Sequence, residues 1–165
     1  MSLQFRPDTE AGKVLRTWWE GLEDNKGGRA ELRRCYKTSE VLFVPAYHEL
    51  FFKLRQHGPL NMEWLPAIAG LLAHVKTFAA GKNLAQQMAS PKAGGSQPPL
   101  SEIRFRRLLQ CQSQEELFPE LRRALHLLDG AVNIYSLAES VYYWRNERTR
   151  QNWAYAYYGA LQAQP

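Results

Sequence analysis

The chain has 165 residues, enough for one compact domain or two small helical lobes. Its 45% apolar and 12% aromatic content supports a buried core and excludes a wholly disordered chain. The formal charge is +5 and the pI is near 9.3. The basic side is skewed to 14 Arg against 7 Lys, which points to an anionic partner, because a guanidinium grips phosphate or carboxylate through two parallel bonds.

Helical periodicity dominates the chain. Leu15, Trp18 and Leu22 recur at helical spacing over Ala11 to Leu22. Gly27-Gly28 is expected to break the chain, with a short helix from Arg29 to about Cys35 that turns Leu32 inward. Pro45 suits the first turn of a helix to about Gln56, with Tyr47, Leu50, Phe51 and Leu54 on one face. His57-Gly58-Pro59 ends it, and Asn61 is read as the cap of a long helix to about Ala80. The segment LAQQMA, from Leu84, is weakly helical.

The stretch SPKAGGSQPPL, residues 90–100, is the clearest linker, because its Gly, Pro and Ser residues cannot sustain a helix. It separates an N-terminal lobe, 1–89, from a C-terminal bundle, 101–165. Ser101 caps a helix with the seam Phe105, Leu108 and Leu109. Ser113 and Glu116 have capping-box spacing, but Pro119 predicts a turn first and a new helix from about Phe118 carrying Leu121, Leu125 and Leu128. Asp129-Gly130 stops that helix. The last one starts near Asn133 or Ser136 and stays helical to about Leu161. Strand alternation is missing almost everywhere, so the fold class is all-α, as two small helical bundles joined by a Gly/Pro/Ser-rich linker.

Catalytic motifs are scarce. His48-Glu49 begins like a zinc-protease motif, but the second ligand position holds Phe52. Gly81-Lys82 lacks the first glycine and the hydroxyl residue of a phosphate-cradling loop. No Cys-x-x-Cys or paired-His spacing suggests a metal. Cys35 and Cys111 read as small buried residues. The start MSLQFRPDTE has no signal-peptide core, and no run approaches the roughly 18–20 apolar residues that span a bilayer. The expectation is a cytoplasmic, non-enzymatic protein with no metal, no cofactor and no membrane.

Arginine pairs beside a core leucine recur in the sequence. ELRR occurs at 31–34 and at 120–123, and RFRRLL at 104–109. Arg104 and Arg107 are neighbours on one helix face, and no acid lies between Ile103 and Gln114. Arginine is also a good helix former whose stem covers apolar surface, so a single pair is ordinary. Three pairs, together with Arg145, Arg148 and Arg150 in WRNERTR, favour an anion-binding surface. The aromatic run from Tyr142 to Tyr158 could stack bases, although its helical spacing favours packing.

The ordered series RTWWEGL, RAELRR, VPAYHELF, FAAGKN, SEIRFRRLLQC, LFPELRRALHLL and VYYWRNERTRQNWAYAYY resembles the small subunit (CasB family) of the type I-E CRISPR surveillance complex, Cascade. The resemblance runs from about Leu15 to Tyr158. It implies a non-catalytic, all-helical antiviral-defence protein present in two head-to-tail copies, in contact with the backbone and large subunits. Such a subunit helps hold the guide RNA–target DNA hybrid and the displaced DNA strand through backbone and shape, leaving sequence to base pairing. The basic positions it maps onto this chain are Arg33, Arg34, Lys82, Arg104, Arg107, Arg122, Arg123, Arg145 and Arg148. The alternative is a helical protein-interaction module whose arginines bind acidic partner subunits.

Overall fold

Thr9 starts the first helix: its hydroxyl accepts from the Gly12 N–H, and α1 (Glu10–Gly21) follows. The computed structural model describes residues 3–163. In chain order the remaining elements are α2 (Lys26–Arg33), α3 (Thr38–Val41), α4 (Pro45–Arg55), α5 (Leu65–Leu72), β1 (Thr77–Phe78), α6 (Leu84–Ala89), α7 (Glu102–Gln110), α8 (Gln114–Leu127), β2 (Ala131–Val132), α9 (Ile134–Tyr142) and α10 (Glu147–Gln162). The all-α class is borne out.

The centre is α5. Its sequence LPAIAGLL has no charged residue, and every one of its side chains is buried, as expected of a helix that is apolar all round. It packs against α2, α3, α4, α8 and α9. Gly70 lets two neighbours come close: a Cβ there would lie 2.8 Å from the Phe118 ring and 3.3 Å from Val41. Elements from both sides of residues 90–100 meet in one buried cluster, with α6 lying along α10 and β1 paired in parallel with β2. Residues 92–97 are exposed. Leu100 is buried, its N–H donates to Met88 O, and its carbonyl accepts from the Tyr157 hydroxyl at 2.6 Å.

Four expectations are corrected. First, Gly27 and Gly28 do not break the chain, because the Asn25 side chain accepts from the Gly28 N–H at 3.0 Å and starts α2 before them. Second, the long helix expected to reach Ala80 ends at Leu72. Arg29 and Trp19 take the carbonyls beyond it: Arg29 Nε donates to Ala73 O, and both Arg29 Nη2 and Trp19 Nε1 donate to Val75 O, each at 3.1 Å. The chain then leaves as β1, directed by Gly130, whose carbonyl accepts from the N–H groups of Lys76 and Thr77. Gly130 has φ +73°, a conformation that favours glycine, and a Cβ there would meet Lys76 at 2.9 Å.

Third, α8 starts at the Ser113 cap and runs through Pro119 without a turn. The proline costs one ladder bond, to the Glu115 carbonyl. Burial of Leu117, Phe118, Leu121, Ala124 and Leu125 outweighs that loss. Fourth, the last helical stretch is two helices. Asn146 caps α10, and Arg150 Nη1 donates to Trp144 O at 2.6 Å across the break. Trp144 is fully buried there, edge-on to Trp153 at 4.9 Å, with its Nε1–H donating to Cys111 O at 2.8 Å. Of the two starts considered for the preceding helix, Asn133 is the cap. The Glu139 carboxylate instead accepts from the Phe5 N–H at 2.7 Å and ties the N-terminal segment to α9.

Candidate nucleic-acid interface

The two ELRR copies meet. In the first, Leu32 is buried at the end of α2, and Arg33 and Arg34 are exposed. In the second, Leu121 is buried and Arg123 is exposed, but Arg122 is half-buried and reaches across to the first copy. Its Nη2 donates to Arg33 O at 3.1 Å and its Nη1 to Cys35 O at 3.3 Å. The guanidinium thus closes the C-terminus of α2, where carbonyls lack helix partners and positive charge is favoured. It also lies 4.4 Å from the centre of the Tyr36 ring. Arg122, one of the basic positions mapped by the resemblance, is thus turned onto the end of α2, whereas Arg123 beside it stays exposed.

Basic side chains gather on the α2 side of this junction, with the Glu31 and Glu40 carboxylates also near Cys35. Lys26, Arg29 and Arg33 stand three and four residues apart on α2, which places them on one helix face. With Arg34 they line an open groove of about 460 Å³ whose acidic member is Glu23. Arg29 is held by its carbonyl bonds and by Glu23 at 3.5 Å, whereas Arg33 and Arg34 have no ion-pair partner among the described residues. His74 lies beneath, buried at 6% exposure, with its ring 5.5 Å from His126. Burial, then the charges of Arg122 and Arg33, push its pKa down to about 4, so it is neutral near pH 7. Neither of its ring nitrogens has a hydrogen-bond partner among the described residues.

The other predicted cations are spread over the second half of the chain and near α6. On α7, Phe105 and Leu108 are buried, with Phe105 stacked on Tyr157 at 3.9 Å. This anchoring turns Arg104 and Arg107 into solvent, along with Arg106. None of the three has an ion-pair partner among the described residues. Arg148 is exposed in the first turn of α10 beside the Asn146 cap, and Lys82 is exposed just before α6. Two candidates already face carboxylates, exposed Arg123 with the half-buried Glu120 at 2.7 Å and exposed Arg145 with Glu63 at 3.5 Å, pairs of small stability value. The structure gathers Arg33, Arg34 and Arg122 at one junction and Arg104 with Arg107 on one helix.

Lys26, Arg29 and Tyr36 are the residues that the sequence reading missed. The assumed break at Gly27-Gly28 put Lys26 outside the helix, so its three- and four-residue spacing to Arg29 and Arg33 went unread. Most of the aromatic run near the C-terminus is packing: Tyr142, Trp144, Trp153 and Tyr157 are buried, while Tyr155 is exposed. Both cysteines are free and buried, and burial pushes the Cys111 thiol up to about 11. Among the described residues, no cluster of three or more His, Cys, Asp or Glu side chains could hold a metal ion, and no helix is long and apolar enough to cross a membrane.

Fold and surface together define an all-α protein that presents clusters of unpaired guanidinium groups on separate helices. The family model of CRISPR-associated protein Cse2 matches residues 28–158, and the chain belongs to that family. The resemblance drawn from the ordered motifs is thereby borne out, although RTWWEGL lies ahead of the matched span. Two solved structures share the fold. A chain in the crystal structure of E. coli Cascade bound to a PAM-containing dsDNA target is 19% identical, with a TM-score of 0.71, covering 94% of this chain and 98% of that one. CasB from Thermus thermophilus is 22% identical, with a TM-score of 0.67, covering 92% of this chain and 99% of that one. No curated protein matches.

Proposed function

We propose that the protein is the non-catalytic small subunit of a type I-E Cascade complex and stabilises the R-loop through backbone phosphates. Its partners in this reading are the guide RNA, the target and displaced DNA strands, the backbone and large subunits, and a second copy of itself. One observation carries it. In a member of the Cse2 family, six of the nine candidate cations (Arg33, Arg34, Lys82, Arg104, Arg107 and Arg148) are exposed and have no carboxylate partner among the described residues.

The mechanism is electrostatic. Each cation that meets a phosphate releases condensed counterions. Replacing a DNA duplex by an RNA–DNA hybrid is nearly balanced, so a few kcal/mol of backbone contacts decide whether the open state persists. Arg122 acts chiefly by fixing the end of α2, from which Arg33 and Arg34 project. The experiment is target-DNA binding by the reconstituted complex carrying Arg104→Glu and Arg107→Glu. Weaker R-loop formation at moderate salt supports the reading, and unchanged affinity removes this pair from it.

An exposed apolar patch favours a second reading, docking on a protein partner. Leu42, Phe43 and Phe52 are 45%, 86% and 58% exposed. His48 joins them, with Nε2 2.7 Å from Leu42 O and its ring 6.3 Å from that of Phe52. In this reading the arginines meet acidic subunits. Ultraviolet crosslinking separates the two: nucleic-acid adducts on α7 and α2 support the first, and protein-only adducts there support the second.

A further inference from the structure

We propose that Tyr36 is a stacking platform for an unpaired nucleobase, held in place by Arg122 beside the Arg33–Arg34 cluster. The inference rests on the nucleic-acid reading above and adds to it a contact made through the base. Tyr36 is 71% exposed, and its hydroxyl has no hydrogen-bond partner among the described residues. Neither burial nor the phenol group accounts for where the ring sits.

The surroundings fix it nonetheless. The N–H groups of Tyr36 and Lys37 both donate to Glu40 Oε1, at 3.0 and 2.8 Å. The Arg122 guanidinium lies 4.4 Å from the ring centre and is itself pinned by the carbonyls of Arg33 and Cys35. A guanidinium over the ring closes one face, and the high exposure leaves the other to solvent. Phe43, Phe52 and Tyr155 are also exposed, but none of them has a cation stacked on it among the described residues.

A ring already immobilised loses little freedom when a planar ligand stacks on it. Bases stack on aromatic side chains regardless of sequence, which suits a protein that leaves sequence to pairing. Arg33 and Arg34, three and two residues earlier, are placed to take the flanking phosphates.

The test titrates the full-length chain with two strands of equal length and phosphate number, a thymidine oligonucleotide and a fully abasic one, over a range of salt. The wild type should prefer the thymidine strand. Tyr36→Leu, which keeps apolar bulk but removes the π face, should weaken thymidine-strand binding by about tenfold, within the usual worth of one stacked base. It should leave the abasic strand unaffected, and Tyr36→Phe should behave as the wild type. Equal loss on both strands would overturn the stacking role and leave the phosphate reading standing, as would a wild type indifferent to the bases. Salt-independent affinity for both strands would overturn the phosphate reading itself.

Discussion

Replacing Arg122 by alanine should destabilise the fold, while the same change at its neighbour Arg123 should not. Arg122 makes two charge-assisted hydrogen bonds to the carbonyls of Arg33 and Cys35, 87 or more positions earlier in the chain, and stacks on Tyr36. Hydrogen bonds from a charged group contribute about 1.5–3 kcal/mol, and an exposed cation–π contact about 0.5–1 kcal/mol. These terms overlap, and the freed carbonyls regain some water, so the expected net loss is about 2–3 kcal/mol. For a chain of this length that lowers Tm by about 5–10 °C. Arg123 contributes one exposed pair with Glu120, worth less than about 1 kcal/mol. Arg122→Lys should not rescue, since an ammonium is a point charge without the planar fork that bridges both carbonyls and stacks on the ring. The assay is calorimetric or circular-dichroism melting of the three variants. Equal, small shifts for Arg122→Ala and Arg123→Ala would refute the bridging role.

His74 should give the fold an acid sensitivity of its own. Its folded pKa of about 4 lies below the ordinary 6.5, so its contribution is complete above pH 6.5 and is lost as pH falls toward 4. The loss amounts to about 3 kcal/mol at most, and His74→Leu should flatten that part of the stability–pH curve; an unchanged curve counts against it. Gly70→Ala should cost about 1–3 kcal/mol by overpacking against the Phe118 ring. Gly27→Ala, which meets nothing within 4 Å, should be neutral or slightly stabilising, and a reversed order in urea titrations would be wrong for this core. We propose residues 90–100 as a boundary between halves that fold together: cleavage near the exposed Gly94-Gly95 should leave 1–89 and 101–165 associated, and 101–165 alone should show no cooperative melt. A cooperative transition in that fragment would make the C-terminal half an independent domain.

Some local signals were legible. Ser101 and Ser113 cap helices through their own side chains as their positions suggest, and leucines at helical spacing are the buried ones. Two of the misses, at Gly27-Gly28 and before α10, turn on the local caps Asn25 and Asn146, which went unread; the other two have long-range causes. The end of α5 is set by Arg29 and Trp19 and by a strand partner more than 50 residues later, none of which periodicity can show. Pro119 sits inside α8 because tertiary burial outweighs one lost bond. The candidate interface was legible as residue types and faces. The turning of Arg122 away from solvent was not, since nothing in a second ELRR indicates that it docks on the first.

In the proposed function, unpaired arginines on separate helices hold phosphates of an open R-loop. The most direct test of that role is the salt dependence of target-DNA affinity in the reconstituted complex, comparing the wild type with Arg33→Ala, Arg34→Ala, Arg104→Ala and Arg107→Ala combined. Binding should weaken, and the slope of log K against log salt should become shallower by about 0.7–0.9 for each phosphate contact removed. Unchanged affinity with an unchanged slope would contradict it.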